Sequence, residues 1–163
     1  MDVYADMSVL RIEKTRSHAS LTLSNGRTVF GCFFVAGATL RSSGPERVLD
    51  VLNDEKGFFP FEVHERGPVK IVLVNRAHVV IVILANPEAR QDPGYELATA
   101  RKVSLLLSNG RTLDGSVRIY RPEGRDRLSD WARHPDQFRY VEAGDATVIV
   151  NVAHVIEVSE VRP

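Results

Sequence analysis

The stretch Ser20-Leu-Thr-Leu-Ser-Asn-Gly-Arg-Thr-Val-Phe-Gly31 returns later in the chain as Ser104-Leu-Leu-Leu-Ser-Asn-Gly-Arg-Thr-Leu-Asp-Gly115. Nine of the twelve positions are identical, at an offset of 84 residues. Shorter matches follow at offsets of 80 and 76, the last pairing Val74–Val79 with Val150–Val155. Because the offset shrinks only in steps of four, the two copies differ by short loop insertions. We therefore interpret the chain as a duplicated domain.

Each copy begins with the pattern of a β-hairpin. Leu21 and Leu23 alternate with polar residues, which is the period of a half-buried strand. Asn25-Gly26 then supplies the two positive-φ positions of a tight turn, and Asn109-Gly110 supplies them in the second copy. The returning strands are predicted at residues 29–35 and 113–120.

A glycine follows each turn at the same distance. Gly31 and Gly115 lie five residues after the turn glycines. A glycine inside a strand marks a bend or a close approach of another backbone. We expect one of these where each sheet curls.

A short helix is predicted after the second strand of each copy. In the first copy, Ser43 or Gly44 can cap the helix and Pro45 takes its first position. Phe58 and Phe138 lie just beyond the two helices and are expected to plug the barrel ends.

The last two strands of each copy are joined by only four residues. They are predicted at residues 69–74 and 79–84, with equivalents at 147–150 and 155–158. The strand Val79-Val-Ile-Val-Ile-Leu84 is apolar on both faces, so both faces are expected to be covered. We predict that Val79, Ile81 and Ile83 lie at an interface, either with the second copy or with another subunit.

The hairpin motif resembles the first sequence motif of the Sm and Sm-like family. That motif is a hydrophobic strand, an Asn-Gly or Asp-Gly turn and a glycine five residues later, as in Leu23–Arg27 with Gly31. The family's second motif falls on the turn at Ala77-His78-Val79. The resemblance implies a mainly β fold of two tandem Sm-like, SH3-type barrels, each with a short helix between strands 2 and 3. The expected division is residues 1–86, a linker at 87–94, and residues 95–163.

The residues by which Sm proteins hold RNA differ here. The family places an Asp and an Asn shortly after the glycine of the first motif, where this chain has Phe33-Phe34-Val35. The family's Arg-Gly of the second motif reads Arg76-Ala77 in one copy and Val152-Ala153 in the other. The resemblance therefore implies the barrel more strongly than it implies RNA binding.

Composition narrows the functional classes. The chain has 163 residues, and 21 Lys plus Arg balance 21 Asp plus Glu, whereas proteins that bind nucleic acid through its phosphates usually carry a basic surplus. A single cysteine, Cys32, cannot form an internal disulfide and fits a reducing cytoplasm. The longest apolar run, at residues 79–85, is too short to cross a membrane. We expect a cytoplasmic protein without a signal peptide.

No cluster in the sequence predicts catalysis, a cofactor or a metal. His78 and His154 recur at equivalent turns, but no companion ligand lies at metal spacing, so a hydrogen bond from each histidine to the turn backbone is the simpler interpretation. Asn75 and Asn151 are predicted to cap the same turns. Asp50 and Asp130 each follow an arginine by three residues. Each is expected to form an ion pair or a buried cap.

Two functional hypotheses remain. The first is a non-enzymatic interaction or assembly module that associates with itself or with a protein partner. The second is weak binding of single-stranded RNA, as in RNA chaperones, by the basic and aromatic residues of the second copy: Arg118, Arg121, Arg125 and Trp131. For Trp131, packing in the core is the alternative, because it follows Leu128 at helical spacing.

Overall fold

The computed structural model describes residues 14–37 and 45–162 and is mainly β. The first copy contains β1 (Lys14–Leu23), β2 (Thr28–Ala36), α1 (Val48–Asp54), β3 (Phe58–Val63), β4 (Lys70–Asn75) and β5 (Val79–Leu84). The second copy contains β6 (Thr99–Leu107), β7 (Thr112–Ile119), α2 (Leu128–Ala132), β8 (Phe138–Ala143), β9 (Ala146–Asn151) and β10 (Val155–Glu160). Short 3₁₀ turns lie at Arg76–His78, Glu88–Gln91, Tyr95–Leu97 and Val152–His154.

All ten strands form one antiparallel sheet. Their order is β10-β6-β7-β8-β9-β5-β1-β2-β3-β4, so each copy contributes five adjacent strands in the same internal order. The sheet is open, and the expectation of two closed barrels is not confirmed. Within the described residues, β4 and β10 are its two edges.

One strand in each copy, β3 or β8, was not predicted from the sequence. Pro60 and Glu62 interrupt the apolar pattern of β3, and Arg139 and Glu142 interrupt that of β8, so neither strand has a clean period of two. The strands predicted as the third and fourth of each copy are consequently its fourth and fifth.

The close approach expected at the strand glycines is confirmed. A Cβ atom added at Gly31 would lie 1.7 Å from the carbonyl oxygen of Glu62, and one at Gly115 would lie 2.5 Å from that of Glu142. Both distances are shorter than any van der Waals contact, so only glycine lets the second and third strands approach at these points.

The sequence predicted that helix α1 begins at Pro45, but the helix begins at Val48. The carboxylate of Asp50 accepts a hydrogen bond from the Arg47 backbone N–H at 2.9 Å, which fixes the start of the helix. Asp130 accepts the equivalent bond from Arg127, also at 2.9 Å. Both aspartates are therefore caps, although neither is buried, and Asp50 also forms an ion pair with Arg47 at 3.1 Å. The other predicted caps, Ser43 and Gly44, lie outside the described residues.

The buried apolar residues form two cores, and each core contains side chains from both copies. Phe138 and Ile149 of the second copy lie in the first core, and Val80 of the first copy lies in the second. Phe58 does not plug a barrel end, as was expected, because its side chain is 59% exposed. Within the described ranges, no helix has the length and apolar character needed to cross a membrane.

Candidate assembly interface

The two copies are joined edge to edge through β5 and β9. The register places Ile81 opposite Val150, Val82 opposite Ile149 and Ile83 opposite Val148. We call this pairing, with the side chains around it, the internal junction. It makes the sheet continuous from one copy into the other.

Side chains cross the internal junction in both directions. Ile149, on β9, is completely buried in the first core beside Val82. Phe138, at the start of β8, enters the same core, while Val80 on β5 is completely buried in the second. Each copy therefore completes the hydrophobic core of the other, which makes the junction a specific docked interface.

Polar contacts fix the same register. The Asn53 side chain, on α1, donates to the Phe138 carbonyl and accepts from the Phe138 N–H, both at 2.9 Å. The buried Asn151 side chain donates to the Val79 carbonyl at 2.8 Å. A shift of the β5–β9 register by one residue would break these hydrogen bonds and leave buried polar groups without partners, which is energetically costly.

Of the turn residues, the two asparagines behave as predicted, whereas the two histidines bond side chains of other turns and not the backbone of their own turn. Asn75 and Asn151 cap their turns by accepting from the N–H two residues later, at 3.0 Å in both cases. His78 and His154 bond the serine hydroxyls of Ser24 and Ser108 at 2.8 Å.

His154 also makes a hydrogen bond that joins the two copies. His154 Nε2 reaches the Ala77 carbonyl oxygen of the first copy at 2.7 Å.

The outer edges of the sheet repeat the two halves of the internal junction. β4 is the equivalent of β9, and β10 is the equivalent of β5, both at an offset of 76 residues. Two residues that are buried at the junction have largely exposed equivalents at these edges. Leu73 corresponds to Ile149 and is 68% exposed, and Ile156 corresponds to Val80 and is 66% exposed.

Phe58 follows the same rule, which explains why its prediction failed. Its equivalent at an offset of 80 is Phe138, which is buried only because it enters the core of the neighbouring copy. Nothing in the described residues occupies that position beside Phe58. The exposure of Phe58 thus marks the unpartnered half of an interface.

The two edges carry opposite charges. Lys70 lies at the start of β4, while Glu157 and Glu160 lie on β10. Charges on an edge strand usually discourage edge-to-edge pairing. The glutamates would repel each other if β10 paired with β10, whereas β4 has no acidic residue and pairing of β4 with β10 lacks this repulsion.

Val79, Ile81 and Ile83, predicted from the sequence as interface residues, all lie on β5. Val79 is buried in the first core, and Ile81 packs against the second. Ile83 is partly exposed on the outer face. Both edges of this strand are paired, with β1 and β9, but the prediction that both of its faces are covered is wrong at Ile83, which is 42% exposed.

The residues proposed for RNA binding are divided between the interior and the surface. Arg118 is held by Glu142 at 3.0 Å and lies 3.6 Å from the centre of the Tyr95 ring. Trp131 is buried, and the Arg139 guanidinium lies 4.7 Å from its ring. These side chains are occupied by contacts within the chain, whereas Arg121 and Arg125 are exposed.

A cleft of about 380 Å³ lies beside this region, between the two copies. Its polar groups are bonded to one another: Arg47 bonds the Asp92 carboxylate, and Tyr120 donates to the same carboxylate at 3.3 Å. Partial burial and the charge of Asp92 raise the pKa of Tyr120 to about 12. Basic and acidic side chains occur in the wall in equal number, with Arg47, Arg118, Arg121 and Arg139 against Asp92, Asp130, Asp136 and Glu142. The cleft therefore has no basic surplus to attract a polyanion.

Sequence reasoning did not find the exposed edge residues Phe58, Leu73 and Ile156. The signal was available, since each aligns with a residue of the other copy, but only the structure shows which copy has a neighbour. Comparisons of the chain with protein-family models, with curated proteins and with solved structures found no match.

Proposed function

We propose that this protein is a non-enzymatic assembly module of two Sm-like units that associates head to tail with further copies of its own chain. The contact is β4 of one chain against β10 of the next, and it repeats the internal junction. The observation that carries the proposal is the exposure, at the two sheet edges, of Leu73 and Ile156, whose equivalents Ile149 and Val80 are buried at the internal junction.

The internal junction supplies a register for this contact. Shifting its pairs by 76 residues places Val74 opposite Glu157, Leu73 opposite Val158 and Val72 opposite Ser159. In this arrangement Leu73 takes the buried position of Ile149, and Ile156 takes that of Val80.

Equivalent hydrogen bonds are available as well. His78 of one chain would reach the Ala153 carbonyl of the next, as His154 reaches Ala77 within the chain. The contact is heterologous, since two different edges meet, and repeats of it produce a ring or a filament.

The internal symmetry of the chain supports the description as two similar units. The strand order β5-β1-β2-β3-β4 of the first copy is repeated as β10-β6-β7-β8-β9 in the second. The Asn-Gly hairpin and its close-approach glycine, which carry the resemblance to the Sm-like family, occupy the same places in both.

The test is the mass of the protein in solution, measured by light scattering after size-exclusion chromatography. We expect the wild-type chain to form an oligomer, with a single mass for a ring or a distribution of masses for a filament. The variant Leu73→Glu places a charge at a position that would be buried between chains and should be monomeric. Since Leu73 is largely exposed in the single chain, the variant should keep its fold by circular dichroism.

The matched control is Leu97→Glu, which charges a leucine that is 91% exposed and lies in the 3₁₀ turn Tyr95–Leu97, outside both edge strands. This control should keep the wild-type mass. A monomeric wild-type chain at micromolar concentration, or a Leu73→Glu oligomer of unchanged mass, would overturn the proposal.

Anisotropy of labelled single-stranded RNA on the same samples tests the alternative function, RNA binding, which requires salt-sensitive binding that Arg121→Ala and Arg125→Ala abolish.

A further inference from the structure

Three potential metal ligands from separate parts of the sequence meet on the outer face of the first copy. His18 on β1 lies directly opposite Cys32 on β2. Cys32 in turn lies opposite Glu62 on β3. His64 follows Glu62 by two residues and therefore lies on the same face of the sheet.

The distances between these side chains suit a single small ion. The Cys32 sulfur lies 3.2 Å from His18 Nδ1 and 3.9 Å from His64 Nε2. One ligand atom from each of the three residues lies within 4.8 Å of the other two. Zn²⁺ binds thiolate at about 2.3 Å and imidazole at about 2.0–2.1 Å in a tetrahedron, so only small side-chain adjustments would close the site.

The surroundings form a site that is closed on one side and open on the other. Cys32 is completely buried, while both histidines are exposed at the surface. Burial, together with the nearby Glu62 carboxylate, raises the pKa of the Cys32 thiol. An ion that binds here would displace the thiol proton, as cations do at cysteine ligands.

Glu62 adds a carboxylate beside the three ligands. Its Oε1 lies 2.7 Å from His64 Nε2, and Arg16 Nε bonds both of its oxygens at 3.2 and 3.1 Å. The arginine holds the carboxylate in place, and the bonds to His64 and Arg16 keep the pKa of Glu62 low. A cation bound to His64 Nε2 would replace the hydrogen bond between that nitrogen and Glu62, while Arg16 would still hold the carboxylate beside the cation.

The second copy provides an internal comparison. At the positions equivalent to His18, Cys32 and His64 it has Lys102, Ser116 and Gly144, although it keeps the glutamate as Glu142. Lys102 and Ser116 are paired in the same register as His18 and Cys32. The fold is therefore built without these ligands in the second copy, and the donor set in the first has no structural necessity.

We propose that His18, Cys32 and His64 form a binding site for a transition-metal ion, Zn²⁺, on the outer face of the first copy, with Glu62 beside the remaining coordination position. Two imidazoles and one thiolate are a donor set that selects zinc over calcium or magnesium. This site is separate from the edges β4 and β10 and does not depend on assembly.

The experiment is a Zn²⁺ titration of untagged protein, stripped of metal, in competition with a chromophoric chelator. We expect one Zn²⁺ per chain. His18→Gln and His64→Gln should each weaken binding by at least about tenfold, since even the loss of an outer partner of a metal ligand costs about 10–100-fold. His134→Gln removes an exposed histidine of the second copy and should bind as the wild type does.

Co²⁺ provides a second measurement that reports on the ligands directly. The Co²⁺ form should absorb in the near ultraviolet through its thiolate ligand, and Cys32→Ser should lose that band while remaining folded by circular dichroism. The proposal is overturned if no saturable binding occurs, or if His134→Gln weakens binding as much as His18→Gln and His64→Gln do. Leu73→Glu should bind Zn²⁺ normally, which separates a failure of this proposal from a failure of the assembly proposal.

Discussion

Single residues set the local geometry of each copy, and glycine is the clearest case. Gly31 lies on β2 where the carbonyl group of Glu62 occupies the space that a side chain would need. The position of this glycine inside a strand, five residues after the turn, was enough to predict either a bend or a close approach. The residue that approaches it could not be predicted, because Glu62 belongs to a strand with no clear periodicity.

The variant Gly31→Ala should therefore destabilise the protein. A methyl group 1.7 Å from a backbone oxygen forces β2 and β3 apart, and overpacking of this kind costs about 1–3 kcal/mol. Urea denaturation measures the loss. Gly37→Ala, where no atom lies within 4 Å of the added Cβ, is the control and should change stability by less than about 0.5 kcal/mol. Equal losses in the two variants would contradict this account of Gly31.

The histidine–cysteine cluster was not found from the sequence because its three residues lie far apart along the chain. His18, Cys32 and His64 are 14 and 32 residues apart, which matches no metal-binding spacing. Only the register of β1 with β2, and of β2 with β3, brings them together.

Among the elements, the hairpin strands were predicted well and the third strand of each copy was not. The prediction of two positive-φ residues in each hairpin turn is wrong, because among the described residues only Gly26 and Gly110 of these turns have a positive φ. The alternation around Leu21 and the Asn25-Gly26 turn specify β1 and β2 locally. β3 and β8 are defined mainly by their neighbours. β8 begins with Phe138, whose place in the core depends on the opposite copy and on the hydrogen bonds from Asn53.

Phe58 and Phe138 allow this dependence to be measured, because they begin equivalent strands. In the monomeric Leu73→Glu background, Phe138→Ala should cost about 3–5 kcal/mol, the usual loss for a buried phenylalanine. Phe58→Ala in the same background should cost less than about 0.5 kcal/mol, because the side chain is exposed. Chemical denaturation measures the free energy of unfolding of both variants. Similar losses would show that Phe138 gains no extra stabilisation from its position at the internal junction.

At the scale of the whole molecule, the internal repeat predicted the duplication and the mainly β fold. The sequence indicated a covered strand at residues 79–84 but left its partner open, because a doubly apolar strand fits any neighbour. The structure shows β9 of the same chain as that partner.

The proposed contact between chains makes a cross-linking prediction at this scale. Leu73→Cys combined with Val158→Cys places two thiols at directly opposed positions of neighbouring chains, where Cβ atoms lie about 4.5–5.5 Å apart. Mild oxidation should give a ladder of linked chains on a non-reducing gel.

The control combines Leu73→Cys with Glu160→Cys, which are diagonal positions about 7–8 Å apart and too distant for a disulfide. Buried Cys32 is present in both proteins. Equal cross-linking in the two would exclude the register derived from the internal junction.

Because the two units are covalently joined, any closed assembly of this chain contains a restricted number of units in a fixed order. The number of units must be even, and first and second copies must alternate, because the peptide chain and not partner choice fixes the sequence of neighbours. Metal sites on the first copy would then recur at every second position around the assembly. In an assembly of identical single units, every unit would present the same surface. Duplication followed by divergence lets one polypeptide build an assembly in which two different surfaces alternate, which otherwise requires two different proteins.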